Sequence, residues 1–183
     1  MTLAAAALAA PRPVRVVLMG VSGCGKSTVG EGLAAHLGWR FVEGDGLHPP
    51  ENVAKMAAGQ PLDDEDRAGW LATLADLLGQ ARSQGQGLVI SCSALKRAYR
   101  DRLRAGDAQL LFVHLQGSQA MIAERIAART HKYMPASLLD SQFAALQAPG
   151  PDEQALSLSV QSTPAELIAH IAQHLQAQTC PTP

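Results

Sequence analysis

The chain has 183 residues, 47% of them apolar but only 4% aromatic, which suffices for one domain whose core is mostly Ala, Leu, Val and Ile. Fifteen Lys and Arg against sixteen Asp and Glu give a formal charge of −1, which excludes the broad basic field that nucleic acid or an anionic membrane requires; a small-molecule partner is expected. Cys24, Cys92 and Cys180 form neither a CxxC pair nor a Cys/His cluster, and their odd number without framework spacing fits a reducing, cytoplasmic setting.

Residues 1–13 contain TLAAAALAA, which no Lys or Arg precedes and which is too short to span a bilayer, so a disordered extension is expected there. A single domain is expected over 14–176. It opens with VRVVLMGVSGCGKST at 14–28, an aliphatic strand, a glycine-rich turn and a helix start matching the phosphate-loop pattern G-x-x-x-x-G-K-[ST]. Glycines let successive backbone N–H groups curl around a phosphate, with a helix N-terminus behind them. Gly20, Val21, Ser22, Gly23, Cys24, Gly25, Lys26, Ser27 and Thr28 are therefore assigned to the nucleotide. Lys26 is expected to reach the β- and γ-phosphates, and the Ser27 hydroxyl to take one position on Mg²⁺. Cys24 reads either as a reactive thiolate favoured by Lys26 or as a small residue tolerated in the loop.

Val29, Leu33, Ala34 and Leu37 recur at helical spacing until Gly38. A second strand at 39–42 runs into EGDGLH, and strand ends in open α/β sheets face the ligand crevice, so Asp45 and His48 are expected to look towards the phosphate loop. Asp45 alternatively serves the turn alone. Pro49 and Pro50 open a short helix with Asn52 and Lys55 on its polar side, and Asp64 or Asp66 caps the next, whose Trp70, Leu71, Leu74, Leu77 and Leu78 form a buried stripe. The acidic run LDDED at 62–66 reads as cap and solvated face rather than metal site.

The third strand, 88–91, ends without the usual Walker B acid, which shifts metal or base duty to Asp45. Lys96, Arg97, Arg100, Arg102 and Arg104 follow on a helix, either as solvated surface or with one or two charges turned to an anionic substrate. After a fourth strand at 110–115, Ser118 caps a helix over 119–129, which carries Arg125 and Arg129 one turn apart. Residues 129–137 read as a lid over nucleotide, delivering those arginines to the phosphates. A helix over 136–147, a turn ending at Pro151, a strand at 155–160 and a helix capped by the Thr163–Glu166 box complete the domain, with Leu167, Ile168, Ile171 and Leu175 inward and 177–183 loose. Five strands alternating with helices demand a parallel α/β sheet.

GVSGCGKST, EGDGLHPPENVAKMAAGQPLDDEDRAGWL, ISCSALKRAYRDRLR and MPASLLDSQFAALQAP together resemble, in order and spacing, the gluconokinase family of gluconate kinases. The resemblance covers most of residues 15–150. It implies a three-layer P-loop kinase fold with sheet order 2-3-1-4-5, a small lid, ATP with Mg²⁺, and commonly a homodimer. The implied reaction moves the γ-phosphoryl group of ATP to the 6-hydroxyl of D-gluconate. Lys26, Asp45, Arg125 and Arg129 then form the catalytic set, and Arg125, Gln147 and Pro149 join the phosphate loop around the nucleotide. Ser27 and Asp45 serve the metal. Substrate falls to Asp45, His48, Lys55, Arg67, Lys96 and Arg100, with either Arg67 or Arg100 forking onto the carboxylate. The family lid often reads G-H-F-M where this chain has His131-Lys132-Tyr133-Met134, leaving His131 without an assigned role. The competing readings are a kinase of the same fold for another hydroxyl compound, and a slow nucleotide switch with an exposed apolar patch.

Overall fold

Arg15–Met19 is buried along its whole length, and a strand covered on both faces belongs in the middle of a parallel sheet. In the computed structural model, which describes residues 12–128 and 136–179, it does lie there. Strands β1 (Arg15–Met19), β2 (Arg40–Glu43), β3 (Leu88–Ser91), β4 (Leu111–Gln116) and β5 (Leu156–Ser159) form one sheet of order β2-β3-β1-β4-β5, every pair parallel. The order matches the one implied by the resemblance.

Helices α1 (Lys26–Leu37), α2 (Pro50–Ala57), α3 (Asp64–Ser83), α4 (Arg97–Gly106), α5 (Gln119–Ala127), α6 (Ala136–Ala145) and α7 (Pro164–Thr179) connect and flank the strands. Alternate residues of β1 point to opposite faces. Val16 and Leu18 pack with Val29 and Leu33 of α1 and Leu167 and Ile171 of α7, while Val17 and Met19 pack with Trp70 and Leu74 of α3 and Leu103 of α4. Two apolar layers result, and all five strands send their carboxyl ends to one edge. Behind that edge a buried ion pair, Arg15 Nε to Asp107 Oδ2 at 2.5 Å, ties the start of β1 to the end of α4.

Several boundaries differ from expectation. The cap of α3 is Asp63, not Asp64 or Asp66: Asp63 Oδ1 accepts from Asp66 N and Asp66 Oδ2 accepts from Asp63 N, both at 2.9 Å. The box satisfies two backbone donors at once, an arrangement neither alternative offers. Helix α6 stops at Ala145, short of Gln147. Helix α7 continues through Thr179 and so takes in the first three positions of the expected loose tail. The first eleven residues of the expected extension, Arg129, the lid residues His131 and Tyr133, and Cys180 lie outside the described residues. Among the described residues no helix is long and apolar enough to cross a membrane.

Candidate active site

The turn after β1 is shaped by what surrounds it. Gly20 has φ 136°, and a Cβ there would stand 2.7 Å from the carbonyl oxygen of Leu115. Its N–H donates to Ser93 O at 3.2 Å, fixing the loop to the segment after β3. Helix α1 starts at Lys26 with no side-chain cap, so its first-turn amides remain available to an anion. Ser27 and Thr28 are exposed there. Lys26 is 8% exposed and Nζ donates to Gly20 O and Val21 O at 3.1 and 3.0 Å, so it lies folded along the loop it is expected to serve. Cys24 is 1% exposed inside the apolar layer, which removes the reactive-thiolate reading because reagents reach it only through the core.

The adjoining strand tips supply carboxylates. Gly44 is held from three sides: its N–H donates to Ser91 Oγ at 3.2 Å, its carbonyl accepts from Trp70 Nε1 at 2.7 Å, and a Cβ would lie 2.1 Å from Ser91 O. This close approach explains a glycine at that position and fixes the 3-10 turn Gly44–Leu47. Asp45 is exposed in the turn, and its carboxylate accepts no hydrogen bond among the described residues, so it does not cap. Glu43, missed in the sequence, accepts from Ser91 Oγ, placing a second carboxylate over the tip of β3 where a Walker B acid was looked for. Its signal was legible: an acidic residue at the last position of a strand. The fully buried Cys92 thiol, one residue past β3, is pushed up to about 12 by burial. The charges of Asp45, Lys26 and Arg67 also reach it, Asp45 raising it and the two cations lowering it.

Opposite the loop, His48 is stacked on Trp70 with ring centroids 4.0 Å apart and planes inclined by 20°. Burial holds its pKa below the ordinary value, opposed by Asp45 and assisted by Arg67. Asn52, on the polar side of α2, is nonetheless only 2% exposed, donating to Asp66 O at 2.7 Å and contacting His48 Nδ1 at 3.4 Å. Arg67 lies over Trp70 and Tyr99, 6.0 and 5.7 Å from their centroids, and donates from Nε to Leu62 O at 3.4 Å. Among the described residues it has no carboxylate partner.

The other expected cations are engaged. Lys55 Nζ is 2.5 Å from Asp66 Oδ2, and Lys96 Nζ is 2.5 Å from Asp64 Oδ1; these contacts raise both lysine pKa values and lower both carboxylates. Arg100 is corrected outright as a substrate ligand: it is 1% exposed, forked onto Glu153 and bonded to three carbonyls, so no approach to it remains. Gln147 is exposed and its Oε1 accepts from Arg97 N at 2.7 Å at the start of α4, while Pro149 is half-buried in the same turn. Arg125 Nη2 donates to Val160 O, an acceptor it must leave to reach a phosphate. Gln142 of α6 was missed: Ser22 N donates to its Oε1 at 2.7 Å, and its Nε2 donates to Ser22 Oγ at 3.0 Å. The helix beyond the expected lid is thus attached to the phosphate loop.

A profile of the shikimate kinase family matches residues 22–176. The gluconokinase of Gluconobacter oxydans is 49% identical over 167 residues, 91% of this chain and 94% of that protein. The chain belongs to the gluconokinase family. The thermoresistant gluconokinase of Escherichia coli is 45% identical over 137 residues, covering 75% of this chain and 78% of its own length. Among solved structures, a gluconokinase from Sinorhizobium meliloti superposes with a TM-score of 0.81 at 43% identity, covering 93% of this chain and 99% of that one.

Proposed function

We propose that this chain transfers the γ-phosphoryl group of ATP to the 6-hydroxyl of D-gluconate, giving 6-phospho-D-gluconate and ADP. One arrangement carries the reading: at the carboxyl edge of the sheet, where β1 leads into the nucleotide loop, the turn after β2 presents the exposed Asp45 and the buried His48, stacked on the Trp70 ring that Arg67 also overlies. Phosphoryl transfer asks mainly for positioning and charge neutralisation. The loop amides and Lys26 bind the phosphates, with Arg125 and Arg129 adding charge as the lid closes. Asp45 orients the attacking hydroxyl and accepts its proton. Arg67 forks onto the gluconate carboxylate, and His48 meets a hydroxyl.

Among the described residues no group of three His, Cys, Asp or Glu side chains forms a metal cage. Mg²⁺ takes few protein oxygens and completes its shell with phosphate and water; Ser27 and Asp45 would be the hard oxygen donors for it, with Glu43 behind. When bound, the ion neutralises phosphate charge. The switch alternative called for an exposed apolar patch, whereas Leu47 and Val53 are the exposed large hydrophobics among the described residues.

A coupled assay across gluconate, other sugar acids, shikimate and nucleoside monophosphates tests the assignment. ATP consumption is expected with gluconate alone; steady consumption without an acceptor would favour a switch. We propose also that the chain acts as a cytoplasmic homodimer, in keeping with the family resemblance, and sedimentation with cell fractionation reads both points.

A further inference from the structure

His48 and Asn52 lie four residues apart, His48 closing the turn after β2 and Asn52 in the first turn of α2. The bond from Asn52 Nδ2 to Asp66 O settles which end of the amide is nitrogen, since a carbonyl accepts only from N–H. The second Nδ2 hydrogen then faces His48 Nδ1. An amide –NH₂ offers no lone pair, so Nδ1 must be the acceptor, and the proton of the neutral ring sits on Nε2. Nε2 itself has no hydrogen-bond partner among the described residues, and no sealed-off side-chain nitrogen or oxygen in them lacks one, so Nε2 is reachable from outside. The ring is immobilised by its stack on Trp70, which is pinned in turn through Nε1 to Gly44 O.

We propose that Asn52 is a positioning residue that holds His48 in the Nε2–H tautomer, so that the ring donates to a substrate hydroxyl oxygen and never accepts from it. The proposal rests on the sugar-acid reading of this site and gives it a selection rule. Nε2 in this tautomer only donates, so its partner must present an oxygen lone pair: an alcohol does, an ammonium does not. The charged groups around the ring are Asp45 in its own turn and Arg67 on α3, with Asp66 and Lys55 behind Asn52. A proton on Nδ1 would set N–H against the Asn52 amide hydrogens, so the contact itself calls for the neutral ring.

Long-range proton–nitrogen spectra of the uniformly ¹⁵N-labelled full chain test this directly, with the His48 signals identified by their loss in His48→Gln. At neutral pH Nδ1 is expected bare and Nε2 protonated. Asn52→Asp replaces the donor with an acceptor, so the proton should move to Nδ1, and the KM for gluconate should rise about tenfold or more while the KM for ATP holds. Asn52→Ala should give a mixture of tautomers and a smaller rise. Protonated Nδ1 in the unmodified chain overturns the proposal whatever the activity, and needs no variant to fold. An Asn52→Asp enzyme with the tautomer reversed but gluconate KM unchanged overturns the positioning role. A wild-type chain showing Nε2–H but ignoring gluconate fails the proposed function and leaves the tautomer standing.

Discussion

Arg100 forks onto Glu153, Nε to Oε2 at 2.5 Å and Nη2 to Oε1 at 2.7 Å, with the two side chains only 1% and 2% exposed. Its Nη1 serves the carbonyls of Ala94, Leu95 and Gln147, holding Ala94 at φ 43°, a left-handed conformation that costs a residue with a Cβ. The neighbouring carbonyl, Ser93 O, receives Gly20 N. The pair therefore underlies the nucleotide loop without touching a ligand. Glu153→Gln leaves a buried guanidinium without its counter-charge, and a loss of about 3 to 5 kcal/mol is expected in urea unfolding. A loss below about 1 kcal/mol would show that the pair is replaceable.

The same pair sets a pH dependence. Hydrogen bonding from Arg100 holds the Glu153 carboxyl down from 4.5 to about 2. As its folded pKa is depressed, its contribution is fully present above the unfolded value near pH 4.5 and is lost as pH falls towards 2. One group shifted this far accounts for about 3 kcal/mol at most. Between about pH 5 and pH 2, unfolding free energy should fall more steeply for the unmodified chain than for Glu153→Gln; parallel profiles would assign acid sensitivity elsewhere.

The phosphate loop and the strand order were readable because local pattern dictates them: an aliphatic run, glycines at turn positions, then helical periodicity. Arg100 was not. On a helix bearing Arg97, Arg102 and Arg104, sequence gives no sign that position 100 alone meets Glu153, fifty-three residues on, in a buried contact. The burial of Asn52 was hidden for a related reason, since the sequence of a short helix does not say that the start of α3 covers its amide. Glu43 was overshadowed by Asp45, although the strand tip holds both. Gln142 reaches Ser22 across 120 residues, a pairing no local pattern specifies.

Lys26→Ala and Asp45→Asn test the chemical step. Removing a positioned charge from the phosphates typically costs about a hundredfold or more in turnover, and Lys26→Ala should do so. Asp45→Asn keeps shape and hydrogen bonding but removes the proton acceptor, so kcat should fall while thermal stability holds, the carboxylate having no internal partner to lose. Near-normal kcat in Asp45→Asn would move the base role to another group, with Glu43 next in line.

Arg67 and Lys96 separate two candidate faces for the gluconate carboxylate. Lys96 is held by Asp64 in a part-exposed ion pair and lies 5.6 Å from the Tyr99 centroid, so its charge is already answered within the protein. Arg67 spends only Nε, on Leu62 O, and leaves its outer guanidinium nitrogens for a planar acid. Arg67→Lys preserves charge but not the fork, and is expected to raise the gluconate KM about tenfold or more with ATP KM unchanged. Lys96→Ala, which removes a surface pair worth about 1 kcal/mol or less, should change it by less than about fivefold. The reverse ranking in steady-state kinetics would shift the carboxylate from α3 to the start of α4.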